Sequence, residues 1–263
     1  MATNPGRTIP LSLNRRVICD LMDASMNVPL VRIQKTINVQ ELITARKEAQ
    51  PRPSWCSIFT KAYGKVVASQ PELRRAYLGF PWARLFEFEK NVADIAVEAR
   101  VLNETAVIMV PVNRPETRTL LGIDQKIAEG RDNPLENVPR CGRALAVARF
   151  PRFMRRWIWW LTLNMSGNSR SKVFGTFGVT SVGNLGVDSL SPLTPTTTLL
   201  HYGAIDPNGD IVLRLTFDHR VMDGTTPSLA LCEMERLLKT EILEELRSLR
   251  PADTCVRPTL LAA

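Results

Sequence analysis

The sequence is poor in the residues that build metal sites and disulfide frameworks. Its 263 residues include only two histidines and five cysteines, and the cysteines are widely separated, without a CxxC pair. A structural or catalytic zinc site therefore has little support. An odd number of cysteines cannot all pair within one chain, so free thiols in a reducing compartment are expected, which predicts a cytoplasmic protein. The cysteines are Cys19, Cys56, Cys141, Cys232 and Cys255.

Long apolar runs are also missing. No run approaches the ~18 apolar residues that a spanning helix needs, and residues 1–16 hold no apolar segment of signal-peptide length. There is no internal repeat, low-complexity linker or composition break, and 44% of the residues are hydrophobic. We therefore predict one domain over residues 1–263, with an amino-terminal arm at 1–11 that ends in an edge strand and a carboxy-terminal tail at 251–263.

The charge of the chain favours anionic partners. The formal net charge is +8 at pH 7, which suits phosphate-bearing cofactors or acidic lipids. The sequence contains no recognisable nucleic-acid-binding module and no concentrated basic tract, so nucleic acid is not expected as a partner.

Hydrophobic spacing predicts alternating helices and strands. Ser12 is a candidate N-cap for the first helix. The remaining pattern predicts a mixed sheet covered by helices. Strands are predicted at 28–39, 85–99, 106–112 and 211–217, and helices at 12–27, 39–50, 57–69, 118–130 and 228–250.

His219 is the first candidate for catalysis because it lies on the connection between a predicted strand and a predicted helix. Such a connection can hold a side chain in one orientation and leave it open to a ligand. A neutral imidazole can then take a proton from a thiol, hydroxyl or amine. Asp223, followed by Gly224, would hold the turn. The alternative is that His219 is a hydrogen-bonded structural residue.

Two blocks of sequence carry a family resemblance. Residues 218–224 read DHRVMDG and residues 175–183 read GTFGVTSVG. Both resemble motifs of the dihydrolipoyl acyltransferase catalytic domain of 2-oxoacid dehydrogenase complexes, a relative of chloramphenicol acetyltransferase. Residues 9–12, IPLS, with the basic pair Arg15 and Arg16, resemble the opening of that domain. The resemblance covers about the whole chain.

The resemblance implies a fold and a chemistry. It implies an α/β (α+β) fold with a chloramphenicol acetyltransferase-like mixed β-sheet, assembled as a homotrimer with active sites between subunits. It implies acyl transfer with coenzyme A, with His219 as general base. Thr180 occupies the position of the family's serine oxyanion donor, next to Ser181, although a threonine there also suits a strand. Related enzymes pair an amino-terminal arginine with the motif aspartate, which implies a salt bridge between Arg15 and Asp223. Alternatively, Arg15 is a solvated helix charge.

The chain also departs from the family. It has no recognisable lipoyl or subunit-binding domain and no lysine in the lipoyl-attachment context, so no covalently bound lipoyl group is expected. The leading hypothesis is a free-standing coenzyme A-dependent acyltransferase with a small-molecule or carrier-bound acceptor. One alternative is a core acyltransferase subunit of a 2-oxoacid dehydrogenase complex, served by lipoyl domains in trans. A third is a non-catalytic trimeric scaffold, which would need neither His219 nor Asp223.

Two features lie outside the motifs. Residues 150–165 combine three tryptophans with three arginines, which is typical of an interfacial helix and allows peripheral membrane contact or contact with an acyl chain. The alternative is an aromatic helix packed in the core or at a subunit contact. His201 either faces the site and contacts the acceptor or is a satisfied histidine within the sheet.

Overall fold

The computed structural model describes residues 6–101, 104–132, 139–182 and 186–251. The helices are α1 (Leu13–Ser25), α2 (Gln40–Glu48), α3 (Trp55–Ser69), α4 (Leu120–Asp132), α5 (Pro139–Ala148), α6 (Arg152–Asn164), α7 (Gly167–Phe174), α8 (Thr225–Leu237) and α9 (Leu243–Ser248). A π-helical turn, Leu238–Ile242, joins α8 to α9. The strands are β1 (Leu30–Asn38), β2 (Arg75–Leu78), β3 (Arg84–Glu87), β4 (Val92–Val101), β5 (Glu104–Asn113), β6 (Phe177–Thr180), β7 (Thr198–Tyr202) and β8 (Asp210–Asp218).

Six strands form a mixed sheet in the order β1-β8-β7-β6-β4-β5. The central strands β7, β6 and β4 are parallel, whereas β8 runs antiparallel to both β1 and β7, and β5 runs antiparallel to β4. Strands β2 and β3 form a separate hairpin. The predicted mixed sheet covered by helices is confirmed.

The main core lies between one face of the sheet and helices α3, α4, α8 and α9. Phe59 and Tyr63 of α3 are fully buried, and the ring of Tyr63 meets Phe177 of β6 edge to face. Helix α3 begins at Ser54, whose hydroxyl accepts a hydrogen bond from the Ser57 amide and satisfies a free N–H of the first turn. Because β6 directs Phe177 and Val179 into this core, its alternate residues face the other side of the sheet.

A second group of helices, α1, α5, α6 and α7, packs beside the hairpin. Ser12 caps α1 as predicted and accepts from the Arg15 amide. A buried ion pair joins α1 to α6, since Nε of Arg155 lies 2.8 Å from Asp20 Oδ2. The small cluster of Ala99, Val101, Ile108 and Val110 between α5 and strands β4 and β5 completes this side.

Most predicted elements are confirmed, with three corrections. Residues 6–11 form no strand, because Ile9 and Leu11 lie exposed rather than paired at a sheet edge. The strand predicted at 85–99 is two strands, β3 and β4, separated by a bend at residues 89–90. The aromatic segment 150–165 is a helix, but it is not packed in the core of the chain, since Phe153 and Trp157 are exposed. Residues 1–5 of the predicted arm, 252–263 of the predicted tail and Cys255 lie outside the described residues.

Candidate active site

The turn after β8 is held by a pair of residues that sequence reasoning did not single out. Asp218 is fully buried, and its carboxylate accepts from the backbone amide of Arg220 at 3.0 Å and from Arg220 Nη2 at 2.7 Å. The Arg220 guanidinium in turn lies 4.5 Å from the centre of the Tyr77 ring. The alternation of charge in the string DHR is the signal that suggests this pair. The two residues on either side of His219 therefore fix the backbone of the turn.

His219 is positioned at the end of the sheet and remains open. Its amide donates to the carbonyl of Pro29, just before β1, at 3.1 Å. The ring packs at 5.8 Å from the ring of Phe217, while the side chain stays 48% exposed. A fixed backbone with a half-exposed imidazole suits a base that must meet a substrate.

Asp223 lies near His219 but does not hold it by a hydrogen bond. Its Oδ1 is 3.6 Å from His219 Nδ1, and its side chain is 91% exposed. At this distance the carboxylate lies beside the ring without fixing its orientation. Gly224 begins α8 as its cap, and a side chain there would meet open space within the chain. The supporting role predicted for Gly224 is thus not a steric one within a single chain.

The predicted salt bridge between Arg15 and Asp223 is not formed in the described chain. Arg15 is exposed in the first turn of α1. This end of the helix is held by a hydrogen bond that the Asn14 side chain donates to the carbonyl of Val101. The other end of α1 lies near His219, and ten residues of helix separate Arg15 from it by about 15 Å. This prediction is wrong because the helix directs Arg15 away from the turn.

Thr180 is the last residue of β6 and is half-buried. Phe177 and Val179 point into the core, so Thr180 faces the opposite side of the sheet. The hydroxyl of Ser181 donates to the carbonyl of Tyr202 at 2.8 Å and tethers the end of β6 to β7. Ser181 therefore ties the ends of the two strands together, and the hydroxyl of Thr180 lies beside it at the end of β6. Gly183 of the same block lies outside the described residues.

Thr180 and His219 are far apart within one chain. Thr180 pairs with His201, which pairs with Arg214, and His219 follows Arg214 by five residues toward the other end of β8. Strand spacing and rise place the two Cα atoms on the order of 15–20 Å apart. The two groups lie at opposite ends of the sheet, so one chain cannot bring both to the same substrate atom.

His201 is a buried histidine of the sheet, beside Thr180. Its Nε2 bonds to Asp188, which also pairs with Arg214. Partial burial acts to raise the pKa of Asp188, but hydrogen bonds from His201 and Arg214 outweigh it and hold the pKa below its usual value. Because His201 is fully buried, it is not placed to contact an acceptor.

A cleft of about 390 Å³ lies beside the turn, between α1, α6 and the β2–β3 hairpin. Its walls include Tyr77, Trp159 and Trp160, together with Arg156 and Arg170. Arg170 is buried and donates to the carbonyls of Tyr77 and Pro195, and burial lowers its pKa to about 10. The same cleft is lined by a third arginine, Arg220, and by two carboxylates, Asp20 and Asp23, so its walls carry more positive than negative side chains.

The described ranges hold no cluster of three or more His, Cys, Asp or Glu side chains that could bind a metal ion. In the same ranges, no helix is both long and apolar enough to cross a membrane. The thiols of Cys19, Cys56, Cys141 and Cys232 are free.

The architecture is that of the acyltransferase cores of 2-oxoacid dehydrogenase complexes, which confirms the predicted fold. A probable dihydrolipoamide acetyltransferase from Listeria monocytogenes is 17% identical, with a TM-score of 0.64 over 97% of this chain and 100% of that chain. The Azotobacter vinelandii dihydrolipoamide acetyltransferase is 16% identical, with a TM-score of 0.65 over 91% of this chain and 94% of that chain. The catalytic core of the 2-oxoacid dehydrogenase complex from Thermoplasma acidophilum is 15% identical, with a TM-score of 0.65 over 89% and 99%. No family model matches the sequence, and neither does any curated protein.

Proposed function

We propose that the chain is a coenzyme A-dependent acyltransferase that works as a homotrimer, in which each active site takes His219 from one subunit and Thr180 from its neighbour. The observation that carries this proposal is the placement of the two groups at opposite ends of one sheet. Each is open enough to meet a substrate, yet neither can reach the other within a chain. A closed ring of identical subunits joins such unlike surfaces head to tail and makes three equivalent sites.

Each side chain has a defined task in the proposed reaction. Neutral His219 removes the proton from the acceptor thiol, hydroxyl or amine as that atom attacks the thioester carbonyl. The hydroxyl of Thr180 donates a hydrogen bond to the oxygen that becomes negative in the tetrahedral intermediate. When the carbon–sulfur bond breaks, the coenzyme A thiolate takes the proton back from His219. The near carboxylate of Asp223 stabilises the transient imidazolium.

Two further observations support this assignment. The Azotobacter vinelandii enzyme uses a serine, a histidine and an asparagine four residues after it in its catalytic mechanism, and His219 and Asp223 have the same spacing here. The cleft beside the turn is lined by three arginines, Arg156, Arg170 and Arg220, against two aspartates, and this excess of positive charge suits a polyanion such as coenzyme A.

A second candidate acceptor follows from the fold. The structural neighbours are cores of 2-oxoacid dehydrogenase complexes, and the match spans nearly their whole length. In such a role the acceptor would be a dihydrolipoyl group on a lipoyl domain of another chain. The chemistry of His219 and Thr180 is the same for both acceptors.

One screen tests the function and separates the acceptors. The protein is incubated with a panel of acyl-coenzyme A thioesters and with dihydrolipoamide, amines or alcohols, and free coenzyme A and acylated acceptor are measured by mass spectrometry. We expect the wild type to transfer the acyl group. His219→Ala should lower the rate of transfer at least ~100-fold. Thr180→Val should also lower turnover, whereas Thr180→Ser keeps the hydroxyl and should be tolerated. If His219→Ala transfers acyl groups as fast as wild type, the proposal fails and a scaffold takes its place.

A further inference from the structure

Six aromatic rings form one exposed surface on α6 and the neighbouring hairpin turn. We call it the aromatic surface; its members are Phe80, Trp82, Phe150, Phe153, Trp157 and Trp160, which are 43%, 71%, 44%, 74%, 66% and 44% exposed. The two segments are continuous, since the rings of Phe80 and Trp160 meet edge to face at 5.5 Å. At about 150–250 Å² per ring, the exposed portions add up to roughly 500–850 Å², more than most soluble monomers leave uncovered.

The aromatic surface is held outward by the packing of α6. Phe153, Trp157 and Trp160 follow helical spacing along one side. On the opposite side Arg155 is buried in its pair with Asp20, and the ring of Trp159 packs 5.2 Å from that of Phe174. Helix α6 therefore cannot turn these rings inward without breaking a buried ion pair.

Positive charge surrounds the rings. Arg149, Arg152 and Arg156 are exposed on or beside α6, and Arg84 ties the hairpin turn to it by donating to the carbonyls of Phe80 and Met165. Arg152 has a carboxylate partner, Asp23. The sequence has no aspartate or glutamate between residues 149 and 172. A surface of rings bordered mainly by arginines is complementary to an apolar layer that carries anionic groups.

We propose that the aromatic surface docks on an anionic lipid bilayer, with the rings at the headgroup level and the arginines on lipid phosphates. Tryptophan favours this depth because its ring is apolar and its N–H still finds a polar partner. Each arginine near an anionic surface adds to the attraction. A symmetric contact between two copies of the aromatic surface is a poor alternative, because it would face the same arginines toward each other and the chain carries a net charge of +8. A head-to-tail contact in the proposed trimer is the other candidate occupant, and the light-scattering test below distinguishes it. Docking would also bring the cleft close to the bilayer, because Arg156 and Trp160 line the cleft and also lie at the aromatic surface.

Vesicle binding tests the proposal without reference to acyl transfer. Full-length protein is sedimented with phosphatidylcholine vesicles that contain or lack phosphatidylglycerol, at low and high salt. We expect binding to the anionic vesicles, weakening with salt, and a blue shift of tryptophan emission on binding. Phe153→Gln/Trp157→Gln should lower the partition coefficient at least ~10-fold, whereas Val107→Thr, at an exposed apolar position on β5, should leave it unchanged.

Charge is tested by a matched pair of double variants. Arg149→Gln/Arg156→Gln should reduce binding roughly tenfold or more. Lys90→Gln/Arg100→Gln removes the same charge from exposed positions elsewhere and should have a much smaller effect. All variants are first shown to melt like the wild type. Absence of binding to anionic vesicles, or equal binding of Phe153→Gln/Trp157→Gln and wild type, would overturn the proposal. So would a fall in oligomer mass of that variant by light scattering without a change in vesicle binding, which would assign the surface to a subunit contact.

Discussion

The carboxylate of Asp218 accepts hydrogen bonds from Nε and Nη2 of Arg220, at 2.9 and 2.7 Å, with Asp218 fully buried. The pair encloses His219 and fixes the turn that presents it. Asp218→Asn leaves Arg220 without its charge partner and should lower the free energy of unfolding by about 1–3 kcal/mol. Urea denaturation followed by circular dichroism measures this change.

An exposed pair serves as the control for that variant. Glu233 and Arg236 form an ion pair on the surface of α8, and Glu233→Gln should change the free energy of unfolding by less than about 1 kcal/mol. If Asp218→Asn is as stable as Glu233→Gln, the pair of Asp218 and Arg220 does not hold the turn.

The ion pair between Asp20 and Arg155 fixes α6 against α1. Its side chains are only 4% and 10% exposed. Arg155→Met leaves a buried carboxylate unpaired and should destabilise the protein by about 3–5 kcal/mol. The double variant Asp20→Leu/Arg155→Met removes both charges and should recover most of this loss. A double variant as unstable as the single one, measured by urea denaturation, would show that the pair contributes more than charge compensation.

The pKa of Asp188 predicts a pH dependence of stability. Hydrogen bonds from His201 and Arg214 hold this pKa below its usual value of 3.8, against the effect of partial burial. A lowered folded-state pKa means that the unfolded state binds protons more readily in acid. The stabilisation from Asp188 is therefore present above pH 3.8 and is lost as the pH falls through the lower, folded-state value. Wild type should exceed Asp188→Asn in denaturation midpoint at pH 7, and the difference should shrink below pH 4. A difference that grows in acid would reverse the assigned sign.

Local pattern predicted the elements well. The alternation of apolar and polar residues at 211–217 predicted β8, and Ser12 predicted the start of α1. Both signals depend only on residues close together in the sequence. The edge strand at the amino terminus was wrong because pairing depends on a distant partner strand. For residues 150–165, one alternative was an aromatic helix packed in the core, and this alternative was wrong. The apolar residues of a helix do not reveal which of its sides a neighbouring element covers.

The candidate site also has parts that the sequence predicted and parts that it did not. His219, Thr180 and Ser181 are predicted from short sequence blocks, and the fold places each of them at the end of a strand. The salt bridge from Arg15 to Asp223 depended on where α1 ends relative to the turn, which the sequence does not encode locally. The pair of buried Asp218 and partly exposed Arg220 was overlooked because both residues flank the motif histidine and were interpreted only as part of the motif.

Thr180 and His219 are separated within one chain, so the proposed active site needs two subunits. A chain that lacks His219 should still supply Thr180 to the active site it shares with its neighbour. A chain that lacks the Thr180 hydroxyl should likewise still supply His219. Two inactive variants should therefore restore each other in mixed oligomers. Each variant alone is expected to lose about 99% of acyl transfer or more.

Subunit complementation measures this directly. His219→Ala and Thr180→Val chains carrying different affinity tags are co-expressed, and mixed trimers are purified through both tags. Every mixed trimer joined head to tail contains one site with both groups intact, so acyl transfer should recover to about one third of the wild-type rate. Mixed trimers that stay as inactive as either parent variant would contradict the account.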